Sequence, residues 1–108
     1  MTKSTTRKSS SDDVPSDIRQ RVIKDFGPEL AESVYWRLLD KIPDGLPNGT
    51  RPRHLRCILY LARGDEGSLD RYIELCLEDT RDVMLEAEYE TDARGKLVHV
   101  RSLASSFD

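Results

Sequence analysis

The stretch "TRPRHLRCILYLARG", residues 50–64, decides the fold of this chain. It begins with a threonine that can cap a helix and a proline that suits a first helical turn. Residues 55–62 are almost all apolar, a pattern that fits either a buried helix or a buried strand. The Thr-x-Pro beginning and the glycine at the end favour a helix. We predict that this helix is the most buried element of the protein.

Three further helices are predicted around it. The first covers residues 16–26, where Ile18, Val22 and Phe26 recur at every fourth position. Gly27-Pro28 ends it and begins the second, residues 28–42, which has a broad apolar face. The fourth is predicted to run unbroken over residues 68–89. Its apolar positions alternate spacings of four and three, which is typical of a helix packed on other helices: Leu69, Ile73, Cys76, Thr80, Val83 and Ala87.

These patterns predict an all-α fold, a small bundle of about four helices over residues 15–90. Residues 1–14 are predicted to be a disordered tail because they are rich in Ser and Thr and poor in apolar side chains. Residues 91–108 are predicted to be mostly disordered, since a short strand near 97–100 has no evident partner. An ordered region of about 75 residues makes only a modest core, and this favours a homodimer.

Charge is distributed unevenly along the chain. Residues 51–63 carry four arginines and no acid, whereas residues 68–90 carry eight acids and two arginines. Arg51, Arg53 and Arg56 could bind phosphate or nucleic acid. However, cations at a helix N-terminus oppose the helix dipole, so acids are expected nearby to offset them. Pairing with the acidic fourth helix, within one chain or between two, is the favoured interpretation, and an anion-binding site is the alternative.

The acids of the fourth helix are predicted to face water. Glu78, Asp82 and Glu86 are spaced by four and lie opposite the apolar seam. Large apolar and aromatic residues lie among them and on the polar side of the second helix, a combination typical of protein-binding surfaces. Covering by the first helix or by a tail is the other interpretation. The predicted partner-binding residues are Trp36, Leu75, Leu85 and Tyr89.

The sequence gives little support for catalysis or metal binding. His54, Cys57, Cys76 and His99 could be taken as a zinc set, but Cys76 lies on the apolar seam, and structural zinc ligands usually come in close pairs. Cys57 with His54 as a base has no visible third group to orient it. We therefore predict no catalytic residue, metal or cofactor. The expected function is a non-enzymatic interaction module or homo-oligomer, with an unidentified protein or a second copy as partner.

The composition of the chain indicates where in the cell the protein is expected. No run of about 18 apolar residues exists, so no membrane span is expected. The N-terminal residues lack the apolar core of a secretory signal. Two cysteines without such a signal indicate free thiols in the cytoplasm.

Residues 55–90 contain a set of short features: Arg56-Cys57-Ile58, Leu61-Ala62 with Gly64, Leu69 with Tyr72-Ile73, Asp79 with Arg81-Asp82-Val83, and Ala87-Glu88-Tyr89. In these features the segment resembles one found in short, uncharacterised bacterial helical proteins. The resemblance covers a third of the chain and implies that the third and fourth helices occur together as one structural unit. It implies no activity.

Overall fold

The structure, a computed structural model, describes residues 14–107. This part of the chain is mostly helical, as predicted, but it has five helices rather than four and a small sheet that the sequence did not predict. Most of the predicted tail, residues 1–13, lies outside the described residues. In chain order the elements are α1 (Ser16–Phe26), α2 (Pro28–Lys41), α3 (Arg51–Ala62), α4 (Glu66–Glu78), α5 (Thr80–Glu88), β1 (Tyr89–Thr91) and β2 (Leu97–His99).

Helix α3 is the centre of the fold. The hydroxyl of Thr50 caps its first turn by accepting a hydrogen bond from the N–H of Arg53, and Pro52 lies in that turn. The helix contacts α1, α4 and α5, so its sides are covered by different neighbours. This confirms the prediction that it is the most buried helix. Three of its buried residues are polar or charged, namely Arg51, His54 and Arg56. The others are Leu55, Cys57, Ile58, Leu59 and Ala62.

The end of α3 lies directly against α1. Arg63 and Gly64 have positive φ angles of 50° and 78°, a left-handed ending that is common after helices. A Cβ atom on Gly64 would lie 2.6 Å from the carbonyl oxygen of Asp25. The backbone of this turn therefore approaches α1 so closely that no side chain fits at position 64.

The predicted fourth helix is a pair of helices, and this corrects the sequence-based prediction. Asp79 is extended (φ −157°, ψ 99°), and its carboxylate accepts a hydrogen bond from the N–H of Arg81, which caps α5. The hydroxyl of Thr80 donates to the carbonyl of Pro47 and accepts from the side-chain amide of Asn48. The break is thus held by the loop before α3, a tertiary contact that helical periodicity does not reveal.

The predicted disorder of residues 91–108 is corrected for the described part of that segment. Strand β2 pairs antiparallel with β1, with His99 opposite Tyr89. The partner strand follows α5 directly, in residues that the sequence assigned to a helix or a tail. Further on, Leu103 is fully buried in the core. Arg56 holds this segment by donating to the carbonyl oxygens of Leu103 (3.1 Å) and Ala104 (2.8 Å).

Candidate functional site

The break between α4 and α5 forms an open groove with a volume of about 530 Å³. Leu75 from α4 and Leu85 from α5, two of the predicted partner-binding residues, both line it and are half-buried. Leu75 also packs against the core, which fixes this part of the groove's apolar floor in position. The other residues that line the groove are charged: Arg71, Glu74, Glu78, Asp82 and Glu86.

The rim of this groove is acidic because it contains four carboxylates and only one arginine. Glu78, Asp82 and Glu86 are exposed, as the helical spacing predicted, although the helix break separates Glu78 from the other two. Tyr72 donates its hydroxyl hydrogen to Glu86 at 3.1 Å across the two helices. Partial burial and this hydrogen bond raise the pKa of Tyr72. This hydrogen bond from Tyr72 therefore holds one of the rim acids, Glu86, in place.

The other two predicted partner-binding residues are not among those that line the groove. Trp36 is 47% exposed on α2, where its indole N–H donates to Glu32 at 3.0 Å. Its ring meets the buried ring of Tyr35 edge to face, with centroids 5.6 Å apart. Tyr89 is half-buried, and its ring centroid lies 4.8 Å from that of His99 in the hairpin. The structure thus brings Leu75 and Leu85 together in one groove and places Trp36 and Tyr89 elsewhere.

Two of the three predicted anion-binding arginines are buried and bound within the chain. Arg51 donates to the carbonyl oxygens of Ile42 and Leu39, both at 2.8 Å, at the end of α2. The guanidinium group of Arg56 donates hydrogen bonds to both carboxylate oxygens of Asp17, at 2.9 and 3.0 Å. These bonds provide partners for two of the three arginines of α3, a helix that has no acid of its own.

The third arginine leads to a site that the sequence analysis missed. Arg53 donates two hydrogen bonds to the carboxylate of Glu88, which is fully buried at the end of α5. The same carboxylate accepts the N–H of Leu103 at 3.0 Å and lies 3.9 Å from the sulfur of Cys57. Glu88 therefore joins α3, α5 and the C-terminal segment. The sequence indicated that an acid of this region pairs with the arginines, but one acid among eight could not be singled out.

The ionisation of Glu88 depends on these contacts. Burial acts to raise the pKa of its carboxyl group, but the hydrogen bonds from Arg53 and from the N–H of Leu103 outweigh burial, so the pKa lies below its usual value. The group is therefore a carboxylate at neutral pH. Burial, reinforced by this carboxylate, raises the pKa of the Cys57 thiol to about 12. A thiol in that state is a poor nucleophile.

The remaining cysteine and histidine residues do not assemble into a ligand set. Cys76 is buried and free, like Cys57, and burial raises the pKa of its thiol to about 11. Within residues 14–107, no three side chains of the His, Cys, Asp or Glu type come together in a way that could hold a metal ion.

His54 is fully buried beneath the loop before α3. Neither of its ring nitrogens has a hydrogen-bond partner among the described residues. Burial and the nearby guanidinium group of Arg53 lower the pKa of His54, against a weaker opposite effect from the backbone of Pro47 and Asn48. The folded protein therefore holds this ring neutral.

We expect His54 to make the protein sensitive to mild acid. Because its pKa is lower in the folded state than its ordinary 6.5, the unfolded state binds more protons below that pH. The free energy of unfolding should then fall by up to about 1.4 kcal/mol per pH unit as the pH decreases from 6.5 towards the folded-state pKa. His54→Leu should remove this slope and, by eliminating two unpaired polar atoms, stabilise the protein by about 1–3 kcal/mol.

Urea titrations of the wild type and the variant between pH 7.5 and pH 5 would measure the slope. His99→Gln is the comparison that removes the other histidine, whose Nε2 lies 3.6 Å from the Glu88 carboxylate, so that any contribution of this pair to the slope is measured separately. An unchanged slope in His54→Leu would show that other groups cause the acid sensitivity.

No protein-family model, curated protein or solved structure matches the chain. Among the described residues, no helix has both the length and the apolar character needed to cross a membrane. The function must therefore be inferred from the geometry of the site.

Proposed function

We propose that this protein is a non-enzymatic interaction module that binds a basic, amphipathic segment of a partner protein in the groove between α4 and α5. The observation that carries the proposal is the combination of Leu75 and Leu85 on the floor of one groove with four acids and a single arginine around them. The proposal concerns binding rather than catalysis, and it requires no metal or cofactor.

The chemistry of the groove selects its occupant. Leucine side chains that line a groove bind the apolar face of an amphipathic helix, whose anchors recur at three- and four-residue spacings. The acids then favour lysine or arginine on the flanks of that helix, because complementary charge speeds encounter and suppresses wrong partners. An acidic partner segment would meet like charges and is disfavoured.

We expect Leu85→Asp to weaken partner binding at least tenfold, since it places a charge in the apolar floor and adds to the negative potential. The measurement is capture of partners from a native lysate by tagged protein, followed by titration of the captured basic segment as a synthetic peptide. The matched control is Leu77→Asp, an exposed leucine of α4 outside this groove. Circular dichroism would verify that both variants fold.

The outcomes separate three surfaces. Loss of binding in Leu85→Asp, with binding retained in Leu77→Asp and weakened by salt, supports the groove. Loss only in Trp36→Asp would place the partner site on α2 and contradict the proposal. Equal binding by all variants, or capture of a partner segment without basic residues, would also contradict it.

The alternative function, a phosphate or nucleic-acid binder through residues 51–56, has less support. The donors of Arg51 and Arg56 are directed to carbonyl oxygens and to Asp17, and Arg53 is paired with Glu88. An anion would have to displace these partners. The resemblance of residues 55–90 to short bacterial proteins and the cytoplasmic location stay predictions from the sequence.

A further inference from the structure

The hairpin of β1 and β2 is largely exposed to solvent. Every residue from 90 to 100 is exposed, and the apolar residues Leu97, Val98 and Val100 are 52%, 39% and 45% exposed. A two-stranded hairpin on its own is only marginally stable in water and needs a third strand or a packed face. This part of the fold thus presents apolar surface and a strand edge with no neighbour in the described part of the chain.

Hydrogen bonding determines which backbone groups face the open edge of β2. The N–H of Asp92 donates to the carbonyl of Lys96, and the N–H of Val100 donates to that of Glu88, both at 2.8 Å. Opposed residues in an antiparallel pair alternate between bonded and non-bonded. Lys96 and Val100 are in hydrogen-bonded pairs, and Val98 lies two residues from each, so Val98 is also in a hydrogen-bonded pair and its N–H and C=O groups point toward β1. The N–H and C=O groups of Leu97 and His99 therefore point away from β1, toward the open edge.

We propose that a second copy of this chain pairs with that edge, strand β2 against strand β2, about a twofold axis at Val98. Leu97 of each copy would then lie opposite His99 of the other, and their outward backbone groups would bond. Val98 would lie opposite Val98 as a non-bonded pair, and the two hairpins would form one four-stranded antiparallel sheet. A symmetric interface of this kind closes on itself and gives a dimer.

The distribution of charge favours a second copy and favours β2 over β1. About the axis at Val98, Lys96 lies opposite Val100, so no like charges are directly opposed. Pairing of β1 with β1 would place Glu90 opposite or beside its own copy, which is destabilising. β-branched residues at 98 and 100 suit a central strand pair. The surface is separate from the acidic groove, whose residues all lie on α4 and α5.

The register can be tested with single cysteines. Antiparallel non-bonded pairs bring Cα atoms to about 4.5 Å, within disulfide range. We expect Val98→Cys to form a covalent dimer readily under mild oxidation. Val100→Cys, opposite Lys96, should crosslink at least tenfold more slowly. The wild type is the background control, since its two cysteines are buried.

Sedimentation over a range of protein concentrations gives a second readout. Val98→Lys places two cations opposite each other and should raise the dimer dissociation constant at least tenfold. Leu77→Lys changes an apolar residue of α4 that is slightly more exposed than Val98 (45% against 39%), and it should leave the dissociation constant unchanged. A wild type that stays monomeric up to about 100 µM (near −5.5 kcal/mol) would overturn the proposal. So would a dimer that persists in Val98→Lys, or equal crosslinking at 98 and 100.

Discussion

Glu88→Ala should lower the free energy of unfolding by about 2–4 kcal/mol, because it removes the acceptor of a buried ion pair and of a buried backbone N–H. Arg53 would keep its charge without a partner, and the N–H of Leu103 would be buried unpaired. The loss stays at this level because the side chain of Arg53 is 27% exposed and can turn partly toward water. Urea unfolding followed by circular dichroism would measure the change.

Two comparisons isolate the cause. Glu90→Ala removes an exposed carboxylate that pairs with Arg101 at 2.8 Å, and it should cost less than about 1 kcal/mol. The double variant Arg53→Met with Glu88→Leu should recover part of the loss, because no charge is then left unpaired. If the free energy of unfolding of Glu88→Ala lies within about 1 kcal/mol of the wild-type value, the carboxylate does not stabilise the packing of α3, α5 and the C-terminal segment.

The effect of Glu88→Ala should depend on pH with a definite sign. The pKa of Glu88 lies below its ordinary 4.5 in the folded state, so its stabilising contribution is present above that value. It is lost as the pH falls further, through the folded-state pKa. The difference between the wild type and Glu88→Ala should therefore be largest near neutral pH and shrink below pH 4.5.

Gly64→Ala should destabilise the protein by about 2–4 kcal/mol. About 1 kcal/mol comes from placing an alanine at a positive φ, and the rest comes from overlap with the backbone of α1, 2.6 Å from the new Cβ. A backbone carbonyl in a helix cannot move aside as a flexible side chain can. We expect a lower urea midpoint with an unchanged slope.

Gly95→Ala is the matched control for this effect. Gly95 has nearly the same φ, 81° against 78°, but a Cβ atom there would meet nothing within 4 Å. It should therefore show only the conformational cost of about 1 kcal/mol. Equal destabilisation by the two substitutions would mean that the contact between the α3 turn and α1 is loose enough to absorb a methyl group.

Local signals in the sequence predicted much of the fold. Helix α1 has the predicted bounds, and α2 and α3 begin at the predicted proline and threonine signals. The seam of the fourth helix is also correct, because all six of its residues are buried. The break at Asp79 was missed because the seam continues across it with the same spacing. An aspartate before Thr80-Arg81 can act as a cap, but only the hydrogen bond from the N–H of Arg81 to its carboxylate shows that it is used as one.

The candidate site was predictable only in part. Leu75 and Leu85 were identified because they interrupt an acidic face, and they do share a groove. Trp36 and Tyr89 satisfied the same criterion but lie elsewhere, since a helical wheel gives direction around one helix and not the position of its neighbours. Glu88 was missed for a related reason. Whether an acid faces water or an arginine depends on contacts such as Arg53–Glu88, which are 35 residues apart in the chain.

The way Leu103 completes the core bears on the order of folding. Helix pairs that follow each other in the chain, such as α1 with α2 and α4 with α5, contact one another, and such pairs close short loops at low entropic cost. The bond from Arg56 to Leu103 closes a loop of 47 residues. We therefore expect the helices to associate first and the C-terminal segment to dock later, as a step of its own. Conditions that detach this segment would then remove the N–H of Leu103 from the Glu88 carboxylate and open the part of the core that Leu103 fills, while the helices stay assembled.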